Sequence, residues 1–220
     1  MDLNTLHEKI SRIETELPKL TNTLYAMKNM NTNTYPQNYE ELSTDAALRA
    51  EHIACSLRNI IFAANLLPRP ELMEKTAAVH GITIFQDDHI LTITLPGLLP
   101  KRKKHVNTAF LTEPLHFKME QYLMSHSLER YEECVICFTH VYDAKLSTRR
   151  IRDYDNMECK QILDTVAAFL IVDDTGLCCD AYHTTILGES DCTILTVMAK
   201  SMFSQWLISA NQSMESMSDF

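Results

Sequence analysis

Residues 149–175 read RRIRDYDNMECKQILDTVAAFLIVDDT. The stretch opens on three cations, Arg149, Arg150 and Arg152, sets two acids one residue apart, Asp153 and Asp155, and closes on Asp173-Asp174. In an extended segment the period of 2 puts Asp153 and Asp155 on the same side of the backbone, where both carboxylates reach a common cation. Between the acid pairs, Ile162, Val166 and Leu170 recur every fourth residue, with Leu163 and Ala167 on the adjoining row. That spacing predicts an amphipathic helix. A helix joined at both ends to acids is a frame for three oxygen ligands around a hard divalent ion. Caps and turns compete with that reading. Asp155-Asn156-Met157-Glu158 has the form of a capping box, and Asp173-Asp174-Thr175-Gly176 is turn chemistry.

The run Arg152-Asp153-Tyr154-Asp155-Asn156, a helix carrying Lys160 and Asp164, and then Asp173-Asp174 ahead of a strand resemble the signature of the RusA-type Holliday-junction resolvases. The resemblance spans residues 82–198 and implies a RusA-like mixed sheet with helices. It also implies that Asp153, Asp155 and Asp174 are catalytic carboxylates holding Mg²⁺, with Mn²⁺ as a substitute, and that Asn156 matches the Asn of the motif. The family places a lysine four residues after the second acid; here that position is Cys159, and Lys160 follows it. On a helix one residue turns a side chain by about 100°. Lys160 is therefore a displaced candidate for the catalytic lysine.

The activity implied is Mg-dependent, structure-selective cleavage of phosphodiesters in branched DNA during recombination, by a homodimer, because a four-way junction takes two symmetric cuts. A second reading belongs to another class. It is a non-catalytic DNA-binding or assembly protein of a mobile genetic element that keeps the resolvase-like fold. The displaced lysine, the acidic balance and an N-terminal region outside the resemblance favour it. A nuclease acting on another nucleic acid is a third reading.

Working outward, charge is unevenly spread. The net charge of the 220 residues is −9, yet residues 101–152 carry 10 Lys and Arg against 6 Asp and Glu, while residues 153–220 carry 2 against 11. A basic excess just ahead of an acidic cluster suits phosphate binding beside a cation site. Lys101, Arg102, Lys103 and Lys104, with Arg149, Arg150 and Arg152, are the candidate DNA-backbone contacts, which would be sequence-independent and salt-sensitive. A solvated loop is the competing reading of the first four.

The 45% hydrophobic content supports a packed core, and no stretch is long and uncharged enough to span a bilayer. Met1-Asp2-Leu3-Asn4 leads into a polar periodic segment rather than a secretory signal, so a cytoplasmic protein is expected. The seven cysteines fit reduced thiols in apolar runs. Cys134 and Cys137 have CxxC spacing, but within a strand their sulfurs point to opposite faces, which disfavours a zinc knuckle.

Residues 3–30 repeat Leu3, Leu6, Ile10, Ile13, Leu17, Leu20, Leu24 and Met27 in a near-heptad seam that Pro18 is expected to kink. A loop at 31–38 and a second helix at roughly 45–66 make a helical hairpin, with a short third helix at 71–79. His52, on the apolar side of the second helix, reads as a packed core histidine. From Gly81 the period becomes that of strands, with a β-hairpin over 82–95. A helix at 113–127, a strand at 131–142, strands at about 180–187 and 191–198, and a final helix followed by a fraying tail at 212–220 complete an α+β pattern. The expected organisation is a helical hairpin region (1–79) before a RusA-like α+β domain (80–220).

Overall fold

The computed structural model describes residues 3–218 apart from 33, 65–66, 88, 103–107, 129 and 174. Three helices come first: α1 (Leu3–Asn29), α2 (Pro36–Ala64) and α3 (Arg69–His80). Leu6, Ile13, Leu20 and Met27 alternate with Leu3, Ile10, Leu17 and Leu24 along α1, which runs through Pro18 without interruption. Of these two rows, Ile13 is buried while Leu3, Ile10, Leu17 and Leu24 all remain exposed. The hairpin of α1 and α2 thus uses one half of the seam. Polar contacts fix its register: Arg49 joins Asp45 (2.7 Å) and Glu16 (3.1 Å), and the Thr23 hydroxyl donates to Asp45 (3.0 Å). The second helix starts well before the expected position, at Pro36, because proline suits a helix's first turn, where its missing N–H costs nothing.

On α2 the buried residues are Ala46 and Ile53, seven apart. His52 lies about 100° round from Ile53 and is exposed, so it is not the core histidine expected from the pattern. Gly81 closes α3 in the left-handed region (φ 59°), its N–H reaching the Ala77 and Ala78 carbonyls. Extended backbone follows immediately.

The sheet is built from β1 (Thr83–Asp87), β2 (Ile90–Pro96), β3 (Cys134–Asp143), β4 (Cys179–Gly188) and β5 (Cys192–Ala199), in the order β1-β2-β5-β3-β4. Only β3 and β4 are parallel. A parallel pair needs a crossover, and α5 (Lys160–Leu170) supplies it. Helix α4 (Ala109–Ser125) joins β2 to β3, and α6 (Phe203–Ser218) follows β5 and continues through most of the tail expected to fray. Among the described residues the architecture is α+β, a mixed five-stranded sheet with six α-helices and an N-terminal helical region.

Strand period sorts β3 between two cores. Cys134, Ile136 and Phe138 join Leu115 and Met119 of α4 and Ile162, Val166 and Leu170 of α5 in the main core. Val135 and Cys137 face the other way, onto Met198, Tyr182, Phe203 and Trp206. The sulfurs of Cys134 and Cys137 therefore lie on opposite faces, and burial pushes both thiols up to about 12. Among the described residues no helix is long and apolar enough to cross a membrane.

His80 ties α3 to α4. It is fully buried, and its Nε2–H donates to the Phe110 carbonyl (2.6 Å). Burial holds its pKa down to about 4. The unfolded chain takes a proton at His80 near pH 6.5, whereas the folded chain refuses it until about pH 4. This group therefore contributes stability that is present above pH 6.5 and is lost as the pH falls from there to about 4. The full loss is about 3 kcal/mol. Urea denaturation of His80→Gln as a function of pH is expected to show a shallower fall over that window than wild type.

Candidate functional site

The connection from β3 to α5, residues 144–159, carries the acidic motif and folds back across the sheet. Ser147 begins it by accepting the Arg149 N–H at a short 3₁₀ turn, Thr148–Arg150. Arg150 then turns inward. It is 3% exposed and forms a bidentate pair with Asp191, one arm at 2.7 Å, while Asp191 also accepts the Asp143 N–H (2.7 Å). Two residues on, Arg152 points inward too, its Nη1 donating to the Leu99 carbonyl (3.0 Å) and its Nη2 to Glu51 of α2 (2.5 Å). The Tyr142 hydroxyl accepts the Arg152 N–H (3.1 Å). Burial raises the Glu51 carboxyl against the opposing pull of Arg152.

A second clamp follows. The Arg102 N–H donates to the Asn156 carbonyl (2.8 Å), and the Glu158 N–H to the Pro100 carbonyl (3.0 Å). With Met157 buried between them, the 3₁₀ turn Tyr154–Asn156 is pressed onto the sheet. The Tyr154 ring lies against those of His140 (5.5 Å between centroids) and His183 (5.1 Å), and its hydroxyl is 3.1 Å from the Thr185 hydroxyl.

His140 and His183 meet because β3 and β4 are parallel with Phe138 opposite His183 and His140 opposite Thr185, which places all four side chains on one face. The His140 Nε2 is 3.4 Å from the His183 Nδ1. Cys159, the residue just before α5, completes the group: one donor atom from each of His140, Cys159 and His183 lies within 4.8 Å of the others. His140 is fully buried and its Nδ1 has no hydrogen-bond partner among the described residues. Burial, and then the neighbouring His183, hold the His140 pKa down to about 4, and burial lowers that of His183. Burial pushes the Cys159 thiol up to about 11, with Glu158 adding to it. A surface cavity of about 320 Å³ opens beside the group, bordered by Arg102, Tyr154, Asp155, Cys159, Lys160 and His183.

The residues singled out by sequence are distributed as follows. Asp153 precedes the 3₁₀ turn without a side-chain cap bond, and Asp155 is exposed on the cavity wall. The capping box does not form. α5 starts only at Lys160, and it is Glu158 that accepts the Gln161 N–H (3.4 Å). That late start sends Cys159 inward and leaves Lys160 exposed on the cavity wall, paired with Asp164 (2.8 Å). Asp173 accepts the Thr175 N–H (3.2 Å) in a turn after α5. Asp174, Lys103 and Lys104 lie outside the described residues. Along the chain the eleven residues of α5 lie between Asp155 and Asp173.

The cationic cluster is divided. Arg102 borders the cavity and Lys101 is exposed, bridged through its backbone to Met157. Arg149 is exposed beside Glu40 (3.3 Å) and Glu41 (3.7 Å). Arg150 and Arg152 are not on the surface facing solvent phosphates; internal carboxylates take their charge. Sequence reading passed over His140 and His183, 43 residues apart. Their only signal was a matching position in two apolar strands, and it becomes readable once the strand register is known.

The chain belongs to a family of unknown function, DUF6100, which matches it over residues 2–220. No curated protein matches it.

Because Arg152 and Glu51 are both largely withdrawn from water, removing one partner strands the other. Arg152→Ala is expected to cost about 3 kcal/mol or more, read as a lower urea midpoint. Arg149→Ala, at an exposed pair, is expected to change it by less than about 1 kcal/mol.

Proposed function

We propose that the protein is a metal-dependent endonuclease of the RusA type, cutting phosphodiesters of branched DNA. The observation that carries this reading is the company kept by Asp155. It stands on an open cavity wall with Arg102 and Lys160, so a carboxylate able to hold a hard cation lies beside two cations able to attract a phosphate. The order of elements also supports it: a β-hairpin, a helix, then β3, the acidic turn, α5 and the second acidic pair before β4, as the resemblance implies. In this reading Asp153, Asp155 and Asp174 hold Mg²⁺ or Mn²⁺, which activates a water and stabilises charge in the transition state. Lys160 neutralises the scissile phosphate.

One specific observation favours a non-catalytic DNA-binding or assembly role instead. Cys159, which stands where the family places its lysine, groups with His140 and His183, and Lys160 is paired with Asp164. Magnesium titration by calorimetry separates the two, since an assembly protein has no need of acid-dependent metal binding. On a four-way DNA junction with Mg²⁺, wild type is expected to nick and Asp155→Asn to be inactive with an unchanged circular dichroism spectrum. Equal cleavage by the variant would remove Asp155 from the mechanism.

Two symmetric cuts require two chains. Leu3, Ile10, Leu17 and Leu24, exposed at intervals of seven along α1, form a self-matching row for a second copy. Light scattering is expected to give a dimer for wild type and a monomer for the double variant Ile10→Asp, Leu17→Asp.

A further inference from the structure

We infer that His140, Cys159 and His183 form a binding site for one zinc-type divalent transition metal ion, with a fourth coordination position open to the adjoining cavity. This does not rest on the nuclease reading, because the donors are different side chains and of a different chemical kind. Carboxylates select hard ions such as Mg²⁺, whereas two imidazoles and a thiolate select zinc and its neighbours.

Three observations support the assignment. The first is distance. Donor atoms from three separate elements, β3, β4 and the start of α5, lie within 4.8 Å of one another. Two nitrogens each about 2.0–2.1 Å from a metal at the tetrahedral angle are about 3.4 Å apart, and the His140 and His183 nitrogens are 3.4 Å apart. The rings are nearly coplanar, within 6°, with centroids 5.7 Å apart, so the nitrogens face each other along the line of centres. The ion then sits about 1.1 Å off that line, and each imidazole turns by about 30° to aim at it.

The second is an unmet need. His140 is fully buried, and its Nε2, the nitrogen turned toward His183, has only that long approach among the described residues. A buried imidazole without good hydrogen bonds is costly, and a metal ion would use the lone pair aimed at the cluster. The third is charge and access. Cys159 occupies the N-cap position of an 11-residue helix, whose positive dipole end offsets part of the cost of burying a thiolate there. On binding, the sulfur forms its bond to the metal as the thiol proton passes to water. Cys159 and His183 border the cavity, so the remaining position faces it and would take water or an anionic oxygen. Tyr154 stacks against both imidazoles.

The full-length protein, stripped with a chelator and dialysed, is titrated with Zn²⁺ and, as a spectroscopic probe, Co²⁺. One zinc per chain is expected to be retained through gel filtration. The cobalt form is expected to show intense visible bands of four-coordinate geometry and a thiolate-to-cobalt charge-transfer band in the near ultraviolet. Cys159→Ser is expected to abolish the charge-transfer band and weaken zinc binding at least tenfold, with the metal-free circular dichroism spectrum unchanged. Asp155→Asn is expected to leave both intact, so failure of the nuclease reading would not touch this result. His183→Gln, altered at a half-buried position, gives a second reading should Cys159→Ser not fold. The proposal is overturned if the stripped protein takes up no zinc, if the cobalt spectrum is weak and six-coordinate, if the charge-transfer band survives in Cys159→Ser, or if His183→Gln binds zinc as tightly as wild type.

Discussion

Two inward-pointing arginines, Arg150 and Arg152, hold the long connection between β3 and α5 against the sheet, and the geometry of the site follows from them. Arg150 closes the 3₁₀ turn and the extended Ile151 leads on to Arg152, so one short segment delivers both guanidinium groups to the interior. There they meet Asp191 on the approach to β5 and Glu51 on α2. A buried ion pair adds little net stability relative to an apolar pair, but it fixes position, since losing either partner leaves a charge stranded. The pairs therefore act as locators. They bring the helical hairpin, the 98–102 segment and the acidic turn to a common place.

That placement creates two donor sets of opposite character within one short stretch. Asp155 faces solvent beside Arg102 and Lys160, whereas Cys159, four residues later, faces the histidines of β3 and β4. The switch occurs because α5 begins late, at Lys160, after Glu158 has been anchored to the backbone of Pro100. A helix starting one residue earlier would turn every following side chain by about 100°. The position of Lys160 in the wall of the cavity and that of Cys159 beneath it are thus one structural fact. Hard oxygen donors with neighbouring cations belong to phosphate chemistry, and nitrogen and sulfur donors to transition-metal chemistry.

Much of the architecture was readable from pattern. The change from a helical period to a strand period at Gly81, the amphipathic rows of α5 and the apolar alternation of β3, β4 and β5 follow from the pleat and the helical repeat, which act over a few neighbouring residues. The opposed sulfurs of Cys134 and Cys137 follow from the same rule. His52 was misplaced because the row Ala46–Ile53 that α2 buries is chosen by its partner helix, not by α2 itself. Likewise the capping box at Asp155 has suitable residues, but Asp155 is held within a 3₁₀ turn by contacts from residues 98–102.

The sequence by itself determined the order of helices and strands, that they mix in an α+β pattern, and that acids and cations crowd into residues 149–175. These depend on local period, composition and turn chemistry, which need no distant partner. Only the tertiary structure decided which of those charges face inward and that His140, Cys159 and His183 share one spot. Those outcomes depend on the parallel register of β3 with β4 and on ion pairs spanning up to 101 residues. Pairing between distant segments is set by the summed packing of the whole chain, and no short stretch carries it.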